Sequence, residues 1–346
     1  AQMSHGIDLY HKIGGECIVT TKDAKIFCEE KGLKTIMLDD FAEQTILSDC
    51  SLLKKTIKFL NEQEGVIFFF DTFKIINNIK SLKKIMLFHG NSLKDQWFEE
   101  WKIEYINNCD YITSIGPNWE KVMISKGINE KNIIRIGQTR CDAIINPKEN
   151  SSSKDIVNGM TNSQGKKIVA YMPTWYGPTS VEIVGKKIIE FISNDYILLF
   201  KPHPETPKNI IDEYELLISK KQNIIHVAEN RYKGFDLTTL LLISDIFIVG
   251  FSSVLIDCLL VNKPIIFASD ESSELTINKF EPIKDVFDHC SKLTVKNVNV
   301  LNEIIEESSV DTIKWEKSKK NIFFNLNGGS IETLKQFLIK NKLVNE

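Results

Sequence analysis

No Cys-x-x-Cys pair occurs in this 346-residue chain, and its seven cysteines (Cys17, Cys28, Cys50, Cys109, Cys141, Cys258, Cys290) are odd in number and scattered. That excludes a disulfide framework and a structural zinc site, and fits reduced cytoplasmic thiols. No apolar run approaches the length of a membrane span. No signal peptide is legible, and the chain opens on Ala1 rather than Met, which leaves room for a trimmed N-terminus and a missing first strand. Charge of neither sign prevails: 43 Lys and Arg oppose 46 Asp and Glu, a net of −3, so there is no nucleic-acid signature. Asp-x-Asp is absent near the candidate motifs, and Asp39-Asp40 reads as a loop. No metal and no cofactor is therefore expected.

What is present is a chain too long for one ordinary core, with the composition of a globular protein. The excess of Ile, Asn and Lys reads as coding bias. Short apolar runs alternate with helical patterns. Strands are predicted at Cys17–Thr20, Thr35–Leu38, Val66–Phe70, Ile85–Phe88, Tyr111–Ser114 and Ile133–Ile136. A polar stretch rich in Ser, Asn and Gly, residues 146–167, reads as a linker. The alternation then restarts at Ile168–Tyr171, Ile197–Phe200, Ile224–Val227, Ile246–Val249, Ile265–Phe267 and Leu293–Val295. Helices are expected at Trp97–Ile106, Val181–Ile192, Leu237–Ile243 and Val254–Leu260.

Continuous apolar strands separated by helices predict parallel sheets covered on both faces. The fold class is α/β, with two doubly wound Rossmann-like domains facing a cleft. The domains are placed at residues 1–150 and 151–325, and the last helical stretch, within 326–346, is expected to pack back on the first domain.

In open α/β sheets ligands bind beyond the carboxyl ends of the strands, so the polar residues that directly follow strands are the candidates. Three places qualify. His89-Gly90 ends the run "IMLFHG". His203 stands between two prolines in "LLFKPHPETP", where the fixed φ of proline makes a stiff corner. Gly250 follows Ile246–Val249 and leads through Ser252 and Ser253 into a helix, with Asp257 one turn inside on the Ser253 face. Serines there would cap free N–H groups, and such a helix end binds anions well. Each has a plain structural alternative: a turn, a rigid corner and a helix cap. Taken together, both halves of the chain offer a histidine or an anion site at a strand end. That combination describes an enzyme acting on a nucleotide-linked phosphate.

Five segments, "HGNSLKD" (89–95), "IGQTRCD" (136–142), "YMPTW" (171–175), "KPHP" (201–204) and "SDIFIVGFSSVLIDCLLVNKPIIF" (244–267), resemble, in order, the CDP-glycerol glycerophosphotransferase family. The resemblance spans roughly residues 80–270, and its last block, with Lys263-Pro264, is the most specific. It implies the GT-B fold and a role in making teichoic-acid or capsule polymers. It implies transfer of glycerol phosphate, or a related polyol phosphate, from a CDP-alcohol to a hydroxyl of a glycan or lipid-linked acceptor, releasing CMP. His89 would take the acceptor's proton and His203 would donate to a donor phosphate oxygen. Gly250, Ser252, Ser253, Asp257, Lys201, Arg140 and Thr174 would bind the donor, and Asn91 and Lys94 the acceptor. The enzyme would be cytoplasmic, at the inner face of the membrane.

The chain also departs from the family pattern. Gly250-Phe251 stands where the family has Asp-Tyr, Thr139 precedes Arg140 in place of a proline, Asn91-Ser92 replaces Thr-Pro, and Tyr176 replaces an arginine. With the histidines and serines kept, retained catalysis with an altered donor or acceptor is expected. A GT-B glycosyltransferase using a CMP- or UDP-sugar is the alternative, a non-catalytic nucleotide-binding subunit is a third reading, and a sugar-nucleotide 2-epimerase is a remote fourth. "LLKKTIKFL" (52–60) sets Leu52, Leu53, Ile57 and Leu60 against Lys54, Lys55 and Lys58, a pattern shared by membrane-surface helices and by ordinary surface helices of α/β domains.

Overall fold

The computed structural model describes residues 6–19, 22–37, 50–90, 98–147, 157, 165–174, 180–227, 236–269 and 283–344, the side chains of 50–53 and 55 excepted. The chain divides into two compact units. One runs through Gly90, continues to Asp142 and resumes at Phe323; the other covers Ala143–Ile322. Most of the polar stretch expected to be a linker, and the acceptor candidates Asn91 and Lys94, lie outside the described residues.

In the first unit β1 (Cys17–Val19) and β2 (Thr35–Met37) pair in parallel as a sheet of their own. A second parallel sheet runs in chain order through β3 (Val66–Phe69), β4 (Lys83–Met86), β5 (Tyr111–Ser114) and β6 (Ile133–Arg135). Parallel neighbours need a crossover. Helix Glu100–Asn107 supplies one, and helix Pro117–Ser125, started by a proline whose missing N–H costs nothing there, supplies the next. β4 starts and ends two residues earlier than the apolar run predicts. Lys83 joins the ladder because its ammonium pairs with Asp110 at 2.8 Å. At the other end the chain leaves the strand conformation at Phe88, whose φ is 57°.

The C-terminal helix Ser330–Lys340 belongs to this first unit. Its Ile331, Leu334 and Leu338 are buried with Leu9, Ile85, Leu87 and Ile136. The Asp142 carboxylate caps it, accepting from the N–H groups of Ser330 at 3.0 Å and Ile331 at 2.8 Å. Gly137 permits this docking: its φ is +80°, and a Cβ there would meet the Phe324 carbonyl at 2.8 Å. In helix Cys50–Asn61, Leu60 is buried while Lys54 and Lys58 face solvent, so the apolar face packs inward at its C-terminal end. No helix of the described residues is long and apolar enough to cross a membrane.

The second unit holds β7 (Lys167–Met172), β8 (Tyr196–Phe200), β9 (Ile224–His226), β10 (Ile246–Val249), β11 (Ile265–Ala268) and β12 (Ser291–Leu293). All neighbours are parallel, in the order β12-β11-β10-β7-β8-β9. Every residue of β8 and β10 is buried, as a sheet covered on both faces requires. Val169, Leu198 and Phe200 enter one core while Ile168, Ile197 and Leu199 enter the other, the period of two that a strand imposes. β12 ends at Leu293, short of the predicted Val295, because Thr294 turns away and bonds the Asn297 side chain at 2.7 Å. The predicted helix Val181–Ile192 is split into Ser180–Ile183 and Gly185–Phe191. The break admits the buried Tyr214 ring, whose hydroxyl donates to the Val181 carbonyl at 2.5 Å. Strand order reverses between β7 and β10, and it is at such a reversal that the loops diverge and leave room for a ligand.

Candidate active site

In the first unit His89 lies two residues beyond Leu87, whose N–H still bonds the Phe69 carbonyl of β3 at 2.7 Å. The carbonyls of Met86 and Leu87 accept from the Thr113 hydroxyl of β5 at 3.1 and 3.3 Å, so the strand end is pinned from both sides. Then Phe88 adopts a left-handed backbone, a conformation that costs a bulky residue roughly 1–3 kcal/mol. Its ring is fully buried and edge-on to Trp119 at 5.6 Å, and that packing holds the corner. The corner turns the half-buried His89 back toward the end of β3, where its Nδ1 lies 3.0 Å from the Phe70 carbonyl. A carbonyl only accepts, so Nδ1 carries the proton and Nε2 keeps its lone pair. The Asp71 carboxylate stands 3.6 Å from the same Nδ1.

Burial holds the His89 pKa below the ordinary imidazole value. The Asp71 carboxylate and the Phe70 carbonyl pull it up in part, and the charges of Arg140 and Lys102 press it down again. His89 is therefore a neutral base at neutral pH. Arg140 sits in the turn Thr139–Cys141 after β6, so this donor-binding candidate belongs to the first unit, near His89.

In the second unit His203 follows β8 and is exposed. The Thr206 N–H closes a turn onto the His203 carbonyl at 2.9 Å, and the Glu205 N–H donates to His203 Nδ1 at 3.1 Å. A backbone N–H only donates, so here Nδ1 is the acceptor and the neutral ring carries its proton on Nε2. The two histidines are thus held in opposite tautomers, His89 with a basic Nε2 and His203 with an Nε2–H. Lys201, half-buried, is fixed at the end of β8 by its N–H to the Tyr171 carbonyl at 2.9 Å.

Thr174 follows β7 and Gly250 follows β10, so the two meet at the point where strand order reverses. A Cβ on Gly250 would lie 2.6 Å from Thr174 Oγ1 and 3.2 Å from the Thr174 backbone nitrogen. The space that an aspartate would need is already filled by threonine. Gly250→Ala is expected to lower stability by about 1–3 kcal/mol through overpacking, read as a fall in the urea midpoint. An unchanged midpoint would show that Thr174 yields freely.

Ser252 corrects the expectation of a serine cap. It occupies the N-cap position of helix Ser253–Cys258, yet its hydroxyl makes no cap bond, because the Leu255 N–H is taken by the Ser252 carbonyl at 3.1 Å. The Ser252 and Thr174 hydroxyls are both buried without a hydrogen-bond partner among the described residues. Such groups are costly unless a ligand or water completes them. Ser253 is half-buried at the helix start. Asp257 is wholly buried, close enough to Cys258 for its charge to raise that thiol's pKa, and offers no exposed face to a ligand. Lys263 ties the neighbouring helix end, donating to the carbonyls of Leu241, Leu242 and Ser244 at 3.1, 2.6 and 2.5 Å. Tyr176 lies outside the described residues.

Reading the sequence missed Asp71 and the Phe88 corner. The signal for Asp71 was present: Asp71-Thr72 directly follows the apolar run Val66–Phe70, the rule that found His89. Nothing local marks Phe88.

Residues 34–314 match the family model of CDP-glycerol:poly(glycerophosphate) glycerophosphotransferase. The teichoic acid glycerol-phosphate primase of Bacillus subtilis (strain 168) is 28% identical over 212 residues, 56% of this chain and 51% of that protein. The chain spans about half or less of the length of the curated relatives it matches. Among solved structures, the wall teichoic acid polymerase TagF superposes with a TM-score of 0.59 at 17% identity, over 81% of this chain and 74% of that one. UDP-GlcNAc 2-epimerase from Neisseria meningitidis, bound to UDP-GlcNAc, superposes with a TM-score of 0.68 at 12% identity, over 99% and 98%. At these identities the likeness establishes the fold, which is of the GT-B type.

Proposed function

Because the chain belongs to the CDP-glycerol:poly(glycerophosphate) glycerophosphotransferase family, we propose that it transfers a polyol-phosphate unit from a CDP-alcohol to a hydroxyl of a glycan or lipid-linked acceptor in teichoic-acid synthesis. The observation that carries this reading is the pair of opposite tautomers. His89, with Nε2 as acceptor, takes the proton of the acceptor hydroxyl. His203, with Nε2–H as donor, hydrogen-bonds a phosphate oxygen and steadies developing charge. The acceptor oxygen bonds to the distal phosphorus while the bond from that phosphorus to the bridging oxygen breaks, and CMP leaves with the bridging oxygen. Phosphoryl transfer asks little of the protein beyond placement and charge stabilisation.

The donor diphosphate is assigned to Gly250, Ser252, Ser253 and Thr174, where two buried hydroxyls lack partners among the described residues. Lys201 adds positive charge there; Arg140, in the first unit, is assigned to the donor on the family resemblance alone, and the wholly buried Asp257 is given no contact with it. Asn91 and Lys94 are assigned to the acceptor on the family resemblance alone. An acceptor of this kind would bring the enzyme to the inner face of the membrane.

One observation favours a second reading. Gly250 stands where the family carries a carboxylate, and a changed donor site fits transfer from a CMP- or UDP-sugar. The purified chain is incubated with CDP-glycerol, CDP-ribitol, a CMP-sugar and a UDP-sugar, and the released nucleotide is identified by chromatography. CMP release from a CDP-alcohol is expected. Turnover of a nucleotide sugar and of no CDP-alcohol would replace the first reading with the second.

A further inference from the structure

We propose that Asp71 is a positioning residue for His89: its carboxylate faces Nδ1 and, with the Phe70 carbonyl, holds the ring so that Nε2 takes the acceptor's proton. This rests on the role of His89 proposed above and adds to it a residue that comes from a different strand. Asp71 lies two residues beyond β3 and His89 three beyond β4, and these strands are paired in register from Val66–Lys83 to Phe69–Met86, so the two chain ends leave the sheet side by side. The left-handed corner at Phe88 then swings the imidazole across to β3.

Asp71 is itself held. Its Oδ1 accepts from the Thr72 N–H at 2.7 Å, which leaves Oδ2 as the oxygen 3.6 Å from His89 Nδ1. At that distance the contact is an ion pair in waiting and not a second full hydrogen bond, since Nδ1–H already points at the Phe70 carbonyl. Its effect appears during the reaction. When Nε2 gains the proton the ring becomes cationic, and a carboxylate beside Nδ1 stabilises that imidazolium, as in other histidine–aspartate pairs. Stabilisation is needed because the remaining charges oppose it. The groups that act on the ring are Asp71 and the Phe70 carbonyl after β3, Arg140 after β6, and Lys102 on helix Glu100–Asn107. The last two are cations, and burial adds to their effect. Asp71 is the one anion among these groups.

Asp71→Asn separates this role from a merely structural one. The amide oxygen of asparagine can still accept from the Thr72 N–H, so the local turn is kept, while the charge facing His89 is lost. Asp71→Ala removes both and serves as the structural control, with circular dichroism reporting folding. The full chain is assayed with the donor that the nucleotide panel identifies, and the His89 ring nitrogens are followed by NMR with no substrate present. In the parent protein His89 is expected as the Nδ1–H tautomer.

In Asp71→Asn the His89 pKa should fall, because the neighbouring charge that raised it is gone. The acid limb of the kcat profile should move to lower pH with it. The kcat plateau should drop roughly tenfold to a hundredfold, the usual cost of losing a group that orients another, with KM little changed. An Asp71→Asn protein with the parent's kcat and the parent's His89 titration overturns the proposal. So does a loss of kcat with no change in His89 tautomer or titration, since Asp71 would then act elsewhere. If the titration moves while neither Asp71→Asn nor His89→Ala changes kcat, the base role of His89 fails and the role of Asp71 in the reaction falls with it. The NMR readout thus tells the failure of the pair from the failure of the function.

Discussion

His89→Ala is expected to lower kcat by roughly 10²–10⁴-fold, the range lost with a general base, while donor binding stays close to that of the parent. The reason is local. Nδ1–H is committed to the Phe70 carbonyl, which leaves Nε2 as the basic atom, and burial keeps the ring unprotonated at neutral pH. Alanine removes that acceptor and leaves the strand corner at Phe88 and its packing on Trp119 in place. Steady-state kinetics and calorimetric titration with the donor check both halves. Added imidazole should restore part of the rate by entering the vacated space. A variant with unaltered kcat would place the base elsewhere and return the non-catalytic reading to consideration.

The second large effect is expected at His203. Replacing it with Ala should lower kcat by about 10²–10³-fold, the cost of losing one donor to developing negative charge. KM for the donor should rise as well, because a phosphate contact is made in the ground state and not only in the transition state. His203→Gln supplies the sharper comparison. Its amide nitrogen can donate from near the position of Nε2 but cannot exchange a proton, so a donor role predicts partial recovery over His203→Ala. If glutamine is as poor as alanine while the pH profile loses a limb, His203 is an acid or base and the Glu205 N–H bond to Nδ1 has been misjudged. Unchanged kinetics in both variants would remove His203 from the reaction.

Much of the architecture was legible because buried parallel strands are written as continuous apolar runs. β8 and β10 occupy the runs at 196–200 and 246–249, since every side chain in them is buried and polarity marks the ends. Strand limits failed where polar partners set them. Lys83 extends β4 through its bond to Asp110, and Thr294 stops β12 by bonding Asn297. Such partners are distant or local hydrogen bonds that hydrophobic periodicity does not record. The split at Val184 also escaped notice, because it answers to Tyr214, a residue of another helix.

The sequence by itself determined which residues stand at the carboxyl ends of strands. The apolar runs placed His89, His203 and the Gly250–Ser253 turn there, and the family motifs joined them into one chemistry. It could not determine which ring nitrogen of each histidine carries the proton, because both are the same side chain after a strand. Tertiary structure decided that. A carbonyl 19 residues earlier, at the end of β3, makes Nδ1 of His89 a donor, while a turn of the chain's own backbone makes Nδ1 of His203 an acceptor. The neighbouring strand also brings Asp71 to the first ring. A ring nitrogen's role is set by the group it meets, and only the pairing of β3 with β4 and the turn after β8 supply those groups.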